Sequence, residues 1–420
     1  MAADMMDKVL EHQRRRLSPN ASAIEAEAAR IVDRINTLLD KAGLKATAIT
    51  GGSVAKGTFL ADDHDIDIFV CFDPAYGTED ISELLGKAIS SLKPMRVHGS
   101  RDYFQIDGDY MIEIVPVINI TRPEDALNVT DMSPLHVDWV RRHLKERPGL
   151  AVEIRLAKQF CKAQGVYGAE SFIKGFSGHV LDILIVHYGG FIPLLEAVAG
   201  WGGKQVIDIA DAHKGKALEA LNEAKLSGPL VVIDPVLSDR NAAAALSREK
   251  VERFRECAAA FLKKPAEPFF EKRPLSIDEV KAAHKGKRVL TLVVVPTKGK
   301  VDVVGSKILK ILEHVERQLK ANDFIPEDLG WEWDKRGDAL LYVVVPQGKL
   351  SEEKIVDGPP TDQKEHIAQF SKKHDDVYSK DGRFYARIPR KFRDPITFIE
   401  SVVTDSYVKP RAVSVKVQEA

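Results

Sequence analysis

The segment that most constrains this sequence is a short strand-like stretch that begins with two aspartates. From Asp65 to Phe72 acidic and apolar residues alternate and then give way to apolar residues only, which is typical of a strand entering a buried sheet. In a strand, residues i and i+2 point to the same side, so Asp65 and Asp67 place two carboxylates on one face, about 7 Å apart along the chain. Like charges at that spacing repel each other. A divalent cation is the usual compensation, and Mg²⁺ suits oxygen ligands and keeps substrate phosphates in its shell.

A glycine-rich turn precedes this strand by a short interval. Gly51 and Gly52 lie between a predicted strand and a predicted helix start, where backbone N–H groups and the Ser53 hydroxyl can approach a phosphate closely. Lys56 adds a positive charge one turn later. Eleven residues separate Ser53 from Asp65, so the turn and the acidic strand are close enough in sequence to form one site.

A third acid, Glu113, lies inside the apolar stretch Met111 to Val115. Burying a lone carboxylate costs several kcal/mol, on the order of 3 to 5, unless a cation or hydrogen-bond donors compensate it. Each of these features alone is more often structural than functional. Together, three acids on neighbouring strands beside a Gly-Ser turn predict a two-metal site that handles phosphates.

Composition excludes several classes of protein. The 420 residues carry 61 Lys and Arg against 62 Asp and Glu, so any nucleic-acid surface must be a local patch. Three cysteines lie far apart, which excludes a disulfide framework and a Cys-x-x-Cys motif and indicates a reducing, cytoplasmic setting. The apolar runs fall short of the ~18 residues of a membrane helix, and the basic start lacks the apolar core of a secretory signal. We therefore expect no membrane association.

The chain is predicted to form an α+β protein of three domains. Residues 1–132 read as a catalytic α/β domain, 133–264 as a helical domain, and 265–420 as an α+β domain after a proline-rich linker. The predicted helices are 22–43, 80–92, 150–164, 177–198, 301–322 and 362–372. The predicted strands are 47–50, 66–72, 94–98, 103–106, 110–118, 230–233, 288–295, 339–345 and 383–388.

The acidic pattern resembles that of the DNA polymerase β-type nucleotidyltransferase superfamily. Further segments resemble the archaeal (class I) CCA-adding tRNA nucleotidyltransferases, in the same order along nearly the whole chain. These segments are Asp131 to His136, Lys158 to Glu170, Lys174 to Gly178, Asp234-Pro235, Arg240-Asn241 and Gly358-Pro359. The resemblance implies a polymerase β-like head with a mixed sheet, a helical central domain and a C-terminal α+β RNA-binding domain.

The resemblance also implies a role for each matching residue. Asp65, Asp67 and Glu113 would hold two Mg²⁺ ions, with Glu113 as the candidate that takes the proton. The nucleotide-binding positions would be Ser53 and Lys56 at the triphosphate, His136, Lys158 and Tyr167 along the pocket, and Arg240 at the base edge. Two positions depart from the family pattern: Lys56 stands where arginine is common and loses its bidentate geometry, and Glu113 stands where aspartate is common.

The activity implied is template-independent addition of C, C and A to the tRNA 3′ end from CTP and ATP, with tRNA as partner and a homodimer as the expected assembly. Two alternatives share the scaffold. A poly(A) polymerase would use the same carboxylates but would not stop after three nucleotides. A non-catalytic RNA-binding protein would bind tRNA without releasing pyrophosphate, although the presence of all three acids argues against it.

A basic segment near the C-terminus is the candidate RNA-binding surface. The segment from Ser371 to Arg393 contains eight basic and three acidic residues, with four aromatic residues interleaved. Basic side chains neutralise phosphates and aromatic rings stack on bases, so the segment suits an RNA acceptor end. The predicted contacts are Lys372, Lys373, Arg383, Arg387, Arg390 and Lys391. A solvated basic face beside a core strand is the structural alternative.

Overall fold

A computed structural model describes residues 2–18, 22–61 and 65–420 of the chain. These residues form two compact units, 1–273 and 274–420. The second unit begins close to the predicted linker. The division of the first unit at residue 132 stays a prediction.

The first unit combines one mixed sheet with a set of helices. Its helices are α1 Ala2–Arg16, α2 Ser22–Lys41, α3 Gly52–Lys56, α4 Ile81–Ala88, α5 Ser133–Glu146, α6 Leu150–Ala163, α7 Gly178–Tyr188, α8 Phe191–Ala199, α9 Ala217–Ala220 and α10 Arg248–Lys263. Its strands are β1 Ala46–Thr50, β2 Asp65–Phe72, β3 Met95–Val97, β4 Tyr103–Ile106, β5 Met111–Ile118, β6 Gln205–Ile207 and β7 Leu230–Val232.

The mixed sheet has the order β1-β2-β5-β4-β3. Strands β2 and β5 are parallel and the other pairs are antiparallel. Ile66, Ile68 and Ile114 are fully buried, because one side of each strand faces a core that α2 and α4 cover. The opposite side carries the acids, as the two-residue period requires.

A second core fills the helical part of the unit. Phe160 on α6 lies at its centre, within 6.1 Å of five other phenylalanine rings, measured between centroids. The prediction of one helix over 177–198 is wrong. Helix α7 ends at Gly189, which has a φ of +84° and caps it. The next helix, α8, is bent by 94° relative to α7. A left-handed glycine ends a helix readily because it has no Cβ to clash.

None of the described helices is by itself long and apolar enough to cross a membrane. The bent pair α7 and α8 meets the length and composition criteria when the two helices are taken together.

The second unit is an α+β body. Its helices are α11 Ile277–Ala283, α12 Val301–Ala321, α13 Lys364–Lys373 and α14 Pro395–Val402. Its strands are β8 Lys287–Pro296, β9 Asp328–Glu332, β10 Ala339–Pro346, β11 Glu353–Pro360, β12 Asp376–Lys380, β13 Arg383–Pro389 and β14 Ala412–Glu419.

Two antiparallel sheets form this unit. One has the order β14-β8-β10-β9, and its apolar face packs with α12 and α14. The other has the order β11-β13-β12, and α13 packs against β11. The predicted α+β class is confirmed, and four strands of this unit lie where sequence analysis predicted none: β9, β11, β12 and β14.

Candidate functional site

The three predicted acids lie together at the start of two neighbouring strands. The parallel register places Asp67 directly opposite Glu113, and Asp65 two residues earlier on the same face of β2. Glu113 is also opposite Gln105 on β4, whose Nε2 donates to its Oε1 at 2.7 Å. Asp65 is exposed and the other two acids are partly buried. The three carboxylates therefore lie on neighbouring strands of the sheet, as predicted.

The electrostatics of these acids reflect their crowding. Burial raises the pKa of Asp67 to about 6, and the negative charges of Glu113 and Asp65 act in the same direction. Burial also raises the pKa of Glu113, although the hydrogen bond from Gln105 opposes the shift. Carboxylates that repel each other in this way form a donor set of hard oxygens that fits a divalent cation.

Helix α3 lies close against these acids. The Gly51 N–H donates to the Asp67 carbonyl at 2.7 Å, which ties the turn to β2. Gly52 has a φ of +52°, and a Cβ placed there would lie 1.6 Å from Asp67 Oδ2. The turn therefore needs glycine both for its backbone and for the space that the carboxylate occupies. Ser53 follows directly, in the first turn of α3.

Replacing Gly52 with alanine is expected to disable the site more than the backbone strain alone would. Gly57 is the matched control because it has a φ of +66° but no atom within 4 Å of an added Cβ. Gly57→Ala should therefore lower the free energy of unfolding by only about 1 kcal/mol. Gly52→Ala should cost at least ~2 kcal/mol and displace Asp67. Thermal melts and nucleotide incorporation, measured side by side, check this; equal effects of the two variants would contradict it.

The predicted pocket residues converge on the first turn of α7. A Cβ on Gly178 would lie 3.2 Å from the Tyr167 hydroxyl and 3.7 Å from Lys158 Cε, so both side chains pack over the start of this helix. The next residue, His179, has its ring centroid 4.4 Å from that of His136. The Ser177 side chain caps the helix by accepting from the Val180 N–H. The segment with the most specific resemblance thus forms the point where the pocket residues meet.

One turn later, Asp182 on α7 binds Lys56 on α3. Lys56 Nζ lies 2.5 Å from Asp182 Oδ2. The Asp182 side chain is fully buried, and that of Lys56 is only 11% exposed. Lys158 is also buried and donates to the Thr58 carbonyl at 2.9 Å. Arg155 donates to the Gly57 carbonyl at 2.6 Å. Lys56 and the two cations of α6 therefore lie in or against residues 56–58, and this concentration of positive charge favours an anionic ligand.

His136 and Arg240 meet at a second buried aspartate. Asp234 Oδ2 accepts from His136 Nε2 at 2.9 Å and from Arg240 Nη1 at 2.7 Å. Burial opposes the ionised carboxylate, but His136 and His179 together hold the pKa of Asp234 far below its usual range. Burial lowers the pKa of His136, and its hydrogen bond to Asp234 opposes that shift. The cluster is therefore a negative carboxylate surrounded by donors.

No role was predicted for Asp182, Arg155 or His179. Arg155 lies between Glu153 and Lys158 in a helix of mixed composition and gave no signal, whereas Asp182 gave one because it is the only charged residue between Val180 and Val186. Such residues are rarely fully buried unless they are paired. For His179 the sequence offered no comparable signal.

The predicted RNA-binding residues lie on and beside the three-stranded sheet of the second unit. Lys372 and Lys373 end α13 and are exposed, and Arg387 on β13 lies 4.9 Å above the Tyr378 ring. All three predicted arginines make contacts within the unit, and Arg387 lies 3.5 Å from Asp376 Oδ2. Arg383 donates to the Gly358 carbonyl at 2.9 Å, and Arg390 to Asp323 at 2.6 Å. Lys391 lies 5.2 Å from the Phe392 ring centroid.

Comparison with known proteins places this site in a family. Residues 31–107 match the nucleotidyltransferase domain, residues 152–271 the second domain of tRNA nucleotidyltransferases, and residues 285–418 the C-terminal domain of CCA-adding enzymes. The CCA-adding enzyme of Methanocaldococcus jannaschii is 31% identical over 393 residues, covering 86% of this chain and 83% of that protein. The chain belongs to the archaeal CCA-adding enzyme family.

Two further CCA-adding enzymes are also similar to this chain. That of Pyrobaculum aerophilum is 33% identical over 334 residues, covering 78% of this chain and 75% of that protein. That of Nanoarchaeum equitans is 40% identical over 227 residues, covering 53% of this chain and 56% of that protein. The family resemblance inferred from the Asp65, Tyr167 and Phe176 segments is confirmed.

Solved structures support the fold of about two thirds of the chain. A cytoplasmic RNA terminal U-transferase matches with a TM-score of 0.52 at 11% identity, covering 65% of this chain and 99% of that one. The predicted nucleotidyltransferase head with a mixed sheet is confirmed. Membership of the CCA-adding family implies a divalent metal and nucleoside triphosphate substrates, and the carboxylate set described above fits such a metal.

Proposed function

We propose that this protein adds the 3′-terminal C, C and A to tRNA, using CTP and ATP, by nucleotidyl transfer to the RNA 3′ hydroxyl with release of pyrophosphate. The observation that carries the proposal is the parallel pairing of Asp67 with Glu113, beside Asp65 and the Gly-Ser turn. The match of residues 285–418 to the C-terminal domain of CCA-adding enzymes favours this reaction over synthesis of a poly(A) tail.

Asp65, Asp67 and Glu113 would hold two Mg²⁺ ions. When bound, such ions lower the pKa of the attacking hydroxyl and neutralise charge on the departing pyrophosphate. Glu113 is our candidate proton acceptor, since the hydrogen bond from Gln105 to its Oε1 fixes the orientation of the carboxylate. Ser53 and the turn before it would bind the triphosphate through hydroxyl and backbone donors.

The remaining pocket residues have separate roles. Lys56 and Lys158 would neutralise the triphosphate, since both are buried cations close enough to Asp67 to lower its pKa. Tyr167 and His136 would line the nucleotide, and Arg240 would donate to the base edge. Arginine suits that role because it presents several fixed N–H donors, and Asp234 occupies one of them here.

A direct test uses a tRNA transcript that lacks its 3′ CCA. Purified protein, Mg²⁺, and CTP and ATP separately and together should extend it by C, C and A and then stop, on gels that resolve single nucleotides. The Asp65→Ala, Asp67→Ala protein is the control and should add nothing. A long A tail would contradict the proposal in favour of a poly(A) polymerase. Binding without extension would contradict it in favour of a non-catalytic protein.

The exposed lysines at the end of α13 offer a test of the RNA surface. Replacing Lys372 and Lys373 with alanine should weaken tRNA binding and flatten the dependence of log K on log salt by about two units, since each phosphate contact contributes about one. Lys281→Ala, Lys285→Ala is the control, because both lysines are exposed in the same unit, in and just after α11. An unchanged salt slope in the first variant would mean that these lysines do not contact phosphate.

Two further properties are part of the proposal. Cys71, Cys161 and Cys257 are all unpaired, which supports a reducing, cytoplasmic setting. We expect a homodimer, as the family resemblance implies, and sedimentation equilibrium would detect it.

A further inference from the structure

We propose that Asp234 is a positioning residue of the nucleotide pocket: it fixes the side chains of Arg240 and His136 in one arrangement and thereby sets which base is accepted. The proposal rests on the proposed function, in which Arg240 contacts the base edge. Asp234 itself has no exposed side-chain surface and would not touch the nucleotide.

Asp234 is saturated with donors. Its Oδ1 accepts from the N–H groups of Val236 at 2.9 Å and Leu237 at 3.3 Å, and its Oδ2 accepts from Arg240 at 2.7 Å. The one Nε2–H of His136 is shared between the two oxygens, at 3.0 Å and 2.9 Å. A carboxylate offers about four lone-pair sites, so these contacts use its capacity. Neither Arg240 nor His136 can rotate away without leaving a buried negative charge short of a donor, which is strongly unfavourable.

Asp234 and Arg240 lie in the same loop, and backbone hydrogen bonds within this loop hold its conformation. The Asp234 N–H donates to the Arg240 carbonyl at 3.0 Å, and the Arg240 N–H donates to the Leu237 carbonyl at 2.9 Å. At the base of the loop Asn241 accepts from the Val232 N–H at 3.0 Å. The backbone of Arg240 is therefore fixed by the loop and its side chain by Asp234.

Arg240 remains available to a ligand. Its side chain is 39% exposed, whereas Asp234 is fully buried beneath it. One guanidinium nitrogen is bonded to the aspartate, which leaves further N–H donors in a defined plane. A base edge can then be distinguished by the positions of its acceptors, because the donors do not move to accommodate the wrong base.

A metal ion is the alternative occupant of this cluster. Donor atoms of His136, His179 and Asp234 lie within 4.8 Å of one another, a spacing that suits zinc. Two observations favour the hydrogen-bonded arrangement. Arg240, a permanent cation, already lies 2.7 Å from Asp234 Oδ2, and His136 Nε2 is bonded to the same carboxylate.

The test begins with Asp234→Asn, which keeps the shape and one acceptor for the Val236 N–H but removes the charge. With a tRNA ending in its discriminator base, we expect KM for CTP to rise about tenfold or more, with kcat changing less, and the preference for CTP over UTP to fall by a similar factor. Asp239→Asn is the matched control, since this acid is exposed in the same loop and bonds Lys225. It should match the unmodified protein.

A double-mutant cycle separates positioning from an independent effect. If Asp234 acts through Arg240, the Asp234→Asn, Arg240→Ala protein should select bases no worse than Arg240→Ala alone, within about twofold. Losses that multiply would overturn the proposal. Asp234→Glu, which restores the charge, should recover part of the discrimination at a comparable Tm.

Two further readouts keep the result unambiguous. Inhibition by inorganic pyrophosphate probes the phosphate end of the pocket and should not change in Asp234→Asn; a parallel loss there with a fall in Tm would show that Asp234 only supports the fold. Binding of one Zn²⁺ per chain that His179→Ala abolishes would overturn the proposal in favour of a metal site. Failure of the unmodified protein to extend tRNA would count against the proposed function alone, because equilibrium binding of CTP and UTP to these variants still tests Asp234.

Discussion

Replacing Asp67 with asparagine is expected to abolish nucleotide transfer while making the metal-free protein more stable. Asp67 lies opposite Glu113 and near Asp65, and burial together with these two charges raises its pKa. A pKa that rises from 3.8 to about 6 corresponds to ~3 kcal/mol against the ionised form at neutral pH. Asparagine keeps the shape of the side chain and removes that repulsion.

We expect asparagine to recover part of this energy, about 1 to 2 kcal/mol, or a rise in Tm of roughly 2 to 4 °C for a unit of this size. The melts are done in EDTA. Adding Mg²⁺ should then stabilise the unmodified protein and leave Asp67→Asn unchanged, because a ligand stabilises only the form that binds it. Incorporation of CMP should fall by at least 1,000-fold, since the site loses a carboxylate that would hold metal.

Asp33→Asn is the control for the loss of a negative charge, because Asp33 is exposed on α2. It should change neither Tm nor activity appreciably. A lower Tm of Asp67→Asn in EDTA would contradict the view that Asp67 is held at a cost to the fold. Activity close to that of the unmodified protein would contradict its role as a metal ligand.

This conflict between stability and function explains why sequence alone could indicate the site. Asp67 and Glu113 violate the hydrophobic pattern of otherwise buried strands, and two such violations that follow a Gly-Ser turn in a fixed order are rarely produced by packing. The two-residue period also placed Asp65 and Asp67 on one face of β2, as the structure has them. The register that sets Glu113 opposite Asp67 is a long-range contact that no local pattern encodes.

The elements that were not predicted from the sequence fall into two groups. Strand β12 carries charged or polar residues at three of its five positions and lacks the apolar alternation that identifies a half-buried strand. Strand β14 does alternate Val413, Val415 and Val417 with polar residues, so its signal was present and was missed. Helix α1 has few buried apolar residues, chiefly Val9 and Leu10, and its helical period was correspondingly weak.

The break between α7 and α8 was missed for the opposite reason. The apolar run is so continuous that it reads as one buried helix, and only the pair Gly189 and Gly190 marks the bend. That same apolar context made Asp182 conspicuous. Its partner could not be identified from sequence, because Lys56 lies 126 residues away.

The contact between Lys56 and Asp182 gives the second large expected effect. Replacing Lys56 with methionine keeps the apolar stem but leaves a fully buried carboxylate without its cation. Asp182 Oδ1 already lacks a hydrogen-bond partner among the described residues, so nothing nearby replaces the lost charge. Breaking a buried ion pair from one side costs about 3 to 5 kcal/mol, and we expect the free energy of unfolding to fall by that amount. Urea denaturation measures it.

Removing both charges should restore stability without restoring activity. In the Lys56→Met, Asp182→Leu protein no buried charge remains unpaired, and replacing a buried ion pair with apolar residues of similar volume is often neutral. Both Lys56 variants should still bind CTP more weakly than the unmodified protein, by about tenfold or more, because the triphosphate has lost a cation.

Asp182→Asn is the matched single variant that keeps Lys56. If Lys56 acts by its charge, Asp182→Asn should bind CTP at least as tightly as the unmodified protein, since the lysine no longer has to leave an aspartate. If Asp182→Asn instead weakens CTP binding as much as Lys56→Met does, then Asp182 is needed to hold the lysine in place, and the ion pair persists when the nucleotide binds.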